Sequence, residues 1–293
     1  MAARELSVCS DDGVALAVEE ADTGPARPGP PIVLLHGLTA TRRYVVMGSR
    51  LLERSGYRVI AYDARGHGRS SPAPDPAAYG YGRLARDLEA VLDALDVPRA
   101  ALAGASMGAH TALRFALEHP ERVAALGLIT PAFDPATPVD VPEGDRDTLA
   151  RGLREGGVEG FVRAYDFSSV PPAWRETVET VVRQRLAAHE HPEAVADALE
   201  IVSRSRPFED FAELGAIAAP TVVIGSRDEV DPGHPLALAE HYVQAIPSAT
   251  VTVEEGGMGG PRSPIAWQGG QLSKVLLELL KRATGFVWHS PPA

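Results

Sequence analysis

Cysteine is nearly absent. Cys9 is the only one in 293 residues, so no disulfide can form within the chain. Lying in a short apolar stretch, Cys9 is expected to be a small buried side chain rather than a catalytic thiol. Lysine is almost as scarce, with Lys274 and Lys281 alone, and the basic residues form no block. Lys and Arg total 28 against 39 Asp and Glu, a formal charge of −11. Such a surface repels phosphates and anionic headgroups, so neither nucleic acid nor membrane is an expected partner. No run of about 20 apolar residues exists to span a bilayer. The opening MAARELSV has no apolar core of signal-peptide type, and a cytoplasmic location is expected. No zinc-type ligand cluster and no phosphate-binding loop occurs, so neither a metal nor a cofactor is expected. Internal repeats are also lacking.

What is present has the rhythm of a parallel sheet. Glu5–Cys9 and Val14–Glu19 flank the turn signal Asp11-Asp12-Gly13 and read as a hairpin. After a Gly/Pro-rich loop, Pro31–Leu35 is an apolar run of strand length, buried on both faces. Strands are predicted at Tyr57–Tyr62, Ala100–Gly104 and Val123–Ile129. Helices are predicted at Arg83–Leu95 and Met107–His119, the second ending at Pro120. This alternation gives an α/β fold with helices on both faces of the sheet. From 131 to 211 the rhythm stops and only helical patterns occur: Arg146–Leu153, Trp174–His189 and Pro192–Ser203. Strands Thr221–Ile224 and Thr250–Val253 follow, with helices Pro235–Ile246 and Pro264–Arg282. The division expected is a core of 1–130 and 212–293 with a helical cap of 131–211.

Gly104-Ala105-Ser106-Met107-Gly108 is a G-x-S-x-G match. Alone it is weak, but it leaves a strand and opens a helix, and that context is specific. The tight turn projects Ser106 Oγ at the sheet edge, and the start of a helix favours negative charge there. His36-Gly37-Leu38 follows an earlier strand, where the Leu38 N–H can join that of Met107 in holding an oxyanion. Asp63-Ala64-Arg65-Gly66-His67-Gly68-Arg69-Ser70 follows another strand and reads as a structural turn. Gly225-Ser226-Arg227-Asp228 follows a late one.

This ordered set resembles the α/β-hydrolase superfamily over nearly the whole chain. The resemblance implies an eight-stranded, mostly parallel sheet flanked by helices, with a cap that shapes substrate choice. It implies a nucleophile at Ser106 and an acid at Asp228, with Asp231 as the fallback. His36 is then an orienting residue of the oxyanion loop.

One feature departs from the pattern. The family places its histidine after the last strand, where this chain reads Val253-Glu254-Glu255-Gly256-Gly257-Met258-Gly259-Gly260-Pro261, and the register puts Gly257 at that position. No histidine occurs between His241 and His289. A serine hydroxyl needs a base to take its proton, and losing that base costs on the order of 10⁶ in rate. The substitutes weighed are His234, on the acid's own loop, and His289 in the tail. His110 reads as a satisfied core residue. His119, His189, His191 and His241 read as exposed helix positions, and Glu254 and Glu255 as surface charge at a strand end. Arg262 reads as a solvated surface residue. The aromatics Phe161, Tyr165, Phe167 and Trp174 pack the cap or line an apolar substrate site, with Gly37 and Trp174 as candidate substrate contacts.

Three functions remain open. The first is a serine-dependent hydrolase of a small ester, thioester or lactone. The second is a lyase, isomerase or cyclase that uses the same pocket to polarise a carbonyl. The third is a catalytically silent small-molecule-binding protein. Acyl-enzyme trapping separates the first from the others. The expected partner is a small molecule, and the chain suits a monomer or a homodimer.

Overall fold

A computed structural model describes residues 3–21, 24, 28–139, 144–168, 170–227, 231, 233–254 and 267–284. The strands are β1 (Arg4–Cys9), β2 (Ala15–Ala21), β3 (Ile32–Leu35), β4 (Val59–Tyr62), β5 (Ala100–Ala105), β6 (Val123–Ile129), β7 (Thr221–Gly225) and β8 (Ala249–Val253). They form one eight-stranded sheet in the order β1-β2-β4-β3-β5-β6-β7-β8. β1 and β2 form the expected hairpin, and β2 is antiparallel to β4. Every later pairing, from β4·β3 to β7·β8, is parallel.

The central strands are apolar throughout because both their faces are covered. In β3, Val33 and Leu35 join one core while Ile32 and Leu34 join the other. β5 divides the same way, Ala100 and Leu102 to one side, Ala101 and Ala103 to the other. This is the two-residue side-chain period of a strand with helices on each side. The first core is closed by helices α2 (Tyr81–Ala94), α3 (Met107–Glu118) and α7 (Leu236–Ala245), which place Leu88, Leu92, Leu113, Phe115 and Tyr242 against the sheet. The second is closed by the short α1 (Leu51–Arg54) and by α8 (Gly269–Thr284), through Leu52, Leu272, Leu276 and Leu280. Burying each such side chain contributes roughly 1.5–3 kcal/mol before entropy is charged against it.

Between β6 and β7 the described residues hold helices α4 (Asp145–Ala164), α5 (Arg175–Leu186) and α6 (Pro192–Arg204), and no strand. α4 bends at Gly157, whose φ of 57° is left-handed. α6 faces two ways. Val195, Ala196 and Leu199 pack with Leu149, Leu153, Phe161 and Leu186 into the insertion's own small core. Ala194, Ala198 and Val202, spaced at four residues, seat it on Tyr79, Tyr81, Leu84 and Met107 of the body.

Three expectations are corrected. Cys9 is exposed: on β1 the inward position is taken by Val8, and alternation turns Cys9 out. His189 is buried, because its ring fills the joint between insertion and body. Glu254 is buried too, since its carboxylate receives the N–H and the guanidinium of Arg227. Glu255, Gly257, Arg262 and His289 lie outside the described residues.

The Asp63–Ser70 segment is a structural turn of unusual polarity. Arg65 is fully buried and forks onto Asp87, with Nε and Nη2 each 2.7 Å from a carboxylate oxygen. Its Nη1 reaches Asp12 and the Ala78 carbonyl, both at 2.8 Å. Burial raises the Asp87 carboxyl, and Arg65 opposes the rise. Asp63 in turn accepts the backbone N–H groups of Arg42 and Arg69 and the Arg42 guanidinium. The turn thereby joins the hairpin, α2 and the loop after β3.

Candidate active site

Ser106 sits between β5 and α3 with φ 48° and ψ −110°, a conformation that only tight packing holds for a residue with a side chain. The packing is explicit. A Cβ on Gly104 would lie 2.2 Å from the Gly108 carbonyl carbon, and one on Gly108 would lie 2.2 Å from the Leu35 carbonyl oxygen. Only two glycines let strand, turn and helix come this close. The Ser106 N–H is held by the Ile129 carbonyl at 2.9 Å. Half-buried, the hydroxyl stands at the head of α3, where the helix dipole favours negative charge.

The loop after β3 lies against this turn. A Cβ on Gly37 would come within 3.6 Å of Ser106 Cβ, so Gly37 brings Leu38 beside the serine. Among the described residues Leu38 N–H has no backbone acceptor. Met107 opens α3, so its N–H is one of the donors that a first helical turn leaves unpaired. His36 accepts the Ala64 N–H at Nε2 (2.8 Å), so Nδ1 carries the proton and donates it to the Gly37 carbonyl at 2.8 Å. Burial pushes His36 down to about 4. Its two nitrogens are committed to backbone, and it orients the loop.

His110 is committed in the same way. Its Nε2 accepts the N–H groups of Ala132 and Phe133 at 3.0 and 3.1 Å. Nδ1–H therefore faces the Tyr81 hydroxyl at 3.0 Å. Burial pushes His110 down to about 3, and it serves the chain where the insertion begins.

His234 is the histidine that meets the serine. Its Nε2 is 3.2 Å from Ser106 Oγ, and its Nδ1 is 2.9 and 3.0 Å from the two carboxylate oxygens of Asp231. The carboxylate fixes the proton on Nδ1 and leaves Nε2 to accept from the hydroxyl. Both residues stand on the β7–α7 connection, which turns twice: Asp231 N–H bonds the Arg227 carbonyl and His234 N–H bonds the Asp231 carbonyl, each at 3.1 Å. The base of the connection is held by Glu254, which accepts Arg227 N–H at 3.0 Å. Trp267 also holds it, donating Nε1–H to the Gly225 carbonyl at 2.9 Å. In chemical terms, an imidazole oriented by a carboxylate and bonded to a hydroxyl can take that hydroxyl's proton.

Ser106, His234, Gly37, Leu38 and Met107 thus come together. Asp228 lies outside the described residues, and Asp231 holds the place beside His234. Trp174, half-buried on a 3-10 turn (Pro172–Trp174), has no hydrogen bond or ring contact to Ser106 among the described residues. Arg185, which carried no sequence signal, and His189, which reads from the sequence as exposed, reach the loop after β3 from the insertion, and Glu254, which reads as surface charge, holds the base of the β7–α7 connection. Among the described residues no cluster of three metal-ligating side chains exists, and no helix is long and apolar enough to cross a membrane.

A family model described as alpha/beta hydrolase fold matches residues 30–163. A Variovorax paradoxus protein that carries the name carbamate hydrolase RutD is 34% identical over 207 residues, 70% of this chain and 76% of its own length. A 2-hydroxy-6-oxononadienedioate/2-hydroxy-6-oxononatrienedioate hydrolase of Burkholderia vietnamiensis is 30% identical over 283 residues, 93% of each chain. Among solved structures, a thermophilic esterase from Thermogutta terrifontis superposes with a TM-score of 0.72 at 24% identity. That match covers 96% of this chain and 99% of the esterase.

Proposed function

Since this chain belongs to the α/β-hydrolase family, we propose that it is a serine hydrolase in which Ser106, His234 and Asp231 act as one unit. The observation that carries the reading is the 3.2 Å approach of His234 Nε2 to Ser106 Oγ, with Asp231 on the far nitrogen. The substrate is a small ester, thioester or lactone. Relatives named for hydrolysis of a carbamate and of an oxo-dienedioate are consistent with attack at a carbonyl.

The chemistry follows from the placement. His234 takes the Ser106 proton as Oγ adds to the carbonyl carbon, and Asp231 stabilises the imidazolium that forms. The tetrahedral oxyanion is held by the N–H groups of Leu38 and Met107. Collapse expels the alcohol or thiol, which receives the proton from His234. Water, deprotonated by the same imidazole, then adds to the acyl carbon, and as the bond to Oγ breaks His234 returns the proton to Ser106 and the acid leaves. The helical insertion of 131–211 acts as a cap that shapes substrate choice. The lyase and ligand-binding readings drew their motive from the want of a base, and His234 supplies one from the β7–α7 connection.

A fluorophosphonate probe and a panel of p-nitrophenyl esters test this directly, with Ser106→Ala as the control. Labelling and turnover that both vanish in the variant are expected. A wild-type protein that neither takes the probe nor turns over any ester would sink the reading.

A further inference from the structure

Arg185 and His189 belong to the insertion, yet their polar contacts are made with the body, on the loop after β3 and, for His189, also on Gly68 after β4. Arg185 Nη2 donates to the Leu38 carbonyl at 3.2 Å and to Thr39 Oγ1 at 3.0 Å. His189 accepts the Gly68 N–H at Nδ1 (2.8 Å), so its Nε2–H donates to the Thr39 carbonyl at 3.0 Å. The Gly37 carbonyl is already taken by His36 Nδ1–H and by Ala40 N–H. Three successive carbonyls, Gly37, Leu38 and Thr39, are therefore pinned, two of them from outside the body. Between them Thr39 holds φ 63°, a left-handed angle that a β-branched residue resists.

The two insertion residues are also out of character for a surface joint. Arg185 is half-buried, its Nε is buried with no hydrogen-bond partner among the described residues, its guanidinium lies over the Tyr44 ring at 5.7 Å, and no carboxylate among the described residues pairs with it. With no counter-ion among the described residues, its charge is met by the Leu38 carbonyl, the Thr39 hydroxyl and the Tyr44 ring. His189 stands edge-on to His67, which in turn leans on His36, at ring distances of 5.5 and 5.2 Å. Glu190 N–H bonds the Gly68 carbonyl at 2.9 Å, so the end of α5 is fastened to the Asp63–Ser70 turn as well.

We propose that Arg185 and His189 are positioning residues for the oxyanion hole: by fixing the Leu38 and Thr39 carbonyls they aim the Leu38 N–H at the carbonyl oxygen under attack. The hole is then assembled only while the insertion is seated on the body. This rests on the reading of Leu38 as an oxyanion donor. Neither residue touches the reacting atoms. Their removal acts on the transition state, where the oxyanion exists, more than on substrate binding.

The test uses the full chain with Arg185→Met, Arg185→Lys and His189→Leu, reading ester kinetics and amide hydrogen exchange of residues 37–41. Arg185→Met is expected to lower kcat about 10- to 100-fold with KM within about threefold, the signature of a contact made in the transition state. Exchange at 37–41 is expected to speed up at the same time. Arg185→Lys, which keeps a donor, is expected to recover part of kcat, and His189→Leu, which removes the grip on the Thr39 carbonyl and leaves Arg185 in place, to show the same split as Arg185→Met. Wild-type turnover with kcat unchanged in both Arg185→Met and His189→Leu overturns the inference and leaves the hydrolase reading standing. Faster exchange at 37–41 in a protein without any Ser106-dependent turnover overturns that reading, and the oxyanion role with it.

Discussion

His234 Nε2 meets Ser106 Oγ at 3.2 Å across 128 residues of sequence, and the carboxylate behind it, Asp231, is only three residues away. The carboxylate and the imidazole therefore share one connection, between β7 and α7, and the serine alone comes from elsewhere. A single loop whose base is tied to Glu254 and Trp267 sets the geometry of both partners.

The first consequence separates two aspartates. Asp231→Asn replaces the acceptor on His234 Nδ1 by an amide that no longer enforces the tautomer, and kcat is expected to fall by about 10⁴. Asp228→Asn is expected to change kcat by far less. Steady-state kinetics of the two variants on one ester decide between them.

The serine's backbone is the second. At φ 48° a side chain is strained, and Ala bears that strain as Ser does. Ser106→Gly is expected to be more stable than Ser106→Ala by about 1 kcal/mol, offset in part by the added freedom of glycine in the unfolded chain. Urea unfolding of the two inactive variants, compared side by side, measures the difference.

Acid sensitivity is the third. Burial holds His36 down to about 4 and His110 down to about 3, whereas in the unfolded chain a histidine titrates near 6.5. Below pH 6.5 the unfolded state binds protons that the native state refuses, so their stabilisation is complete above pH 6.5 and is lost as pH falls toward 4. Each contributes a slope of up to about 1.4 kcal/mol per pH unit. In His110→Gln the slope of unfolding free energy between pH 6 and 5 is expected to flatten by about that amount.

The sheet was legible in the sequence because its central strands are short apolar runs between turn signals. Ile32–Leu35 and Val123–Ile129 can satisfy their side chains only when covered on both faces. The serine turn was legible because two glycines at fixed spacing are the only residues that admit the close approach of Gly104, Gly108 and Leu35. The insertion's helices were legible by period, and their bounds shifted by a residue or more, α4 running on past Leu153 to Ala164.

Partnerships were harder to read. His234 carries no local pattern, since what selects it is a loop path that brings it back to the serine. Asp228 and Asp231 both fit an acid after a late strand, and the sequence alone does not say that the Asp231 carboxylate meets His234. His189 reads as an exposed helical residue because its partners, Thr39 and Gly68, lie more than a hundred residues away. Glu254 reads as surface charge because its partner, Arg227, lies on the neighbouring strand's loop, which only the sheet pairing brings alongside.

The most direct measurement is kcat/KM for His234→Ala on the best ester of the panel, with Ser106→Ala and the double variant alongside. If the two residues act as one unit, each single variant falls by about 10⁴–10⁶ and the double variant falls no further. Turnover in His234→Ala within tenfold of the wild type would contradict the account.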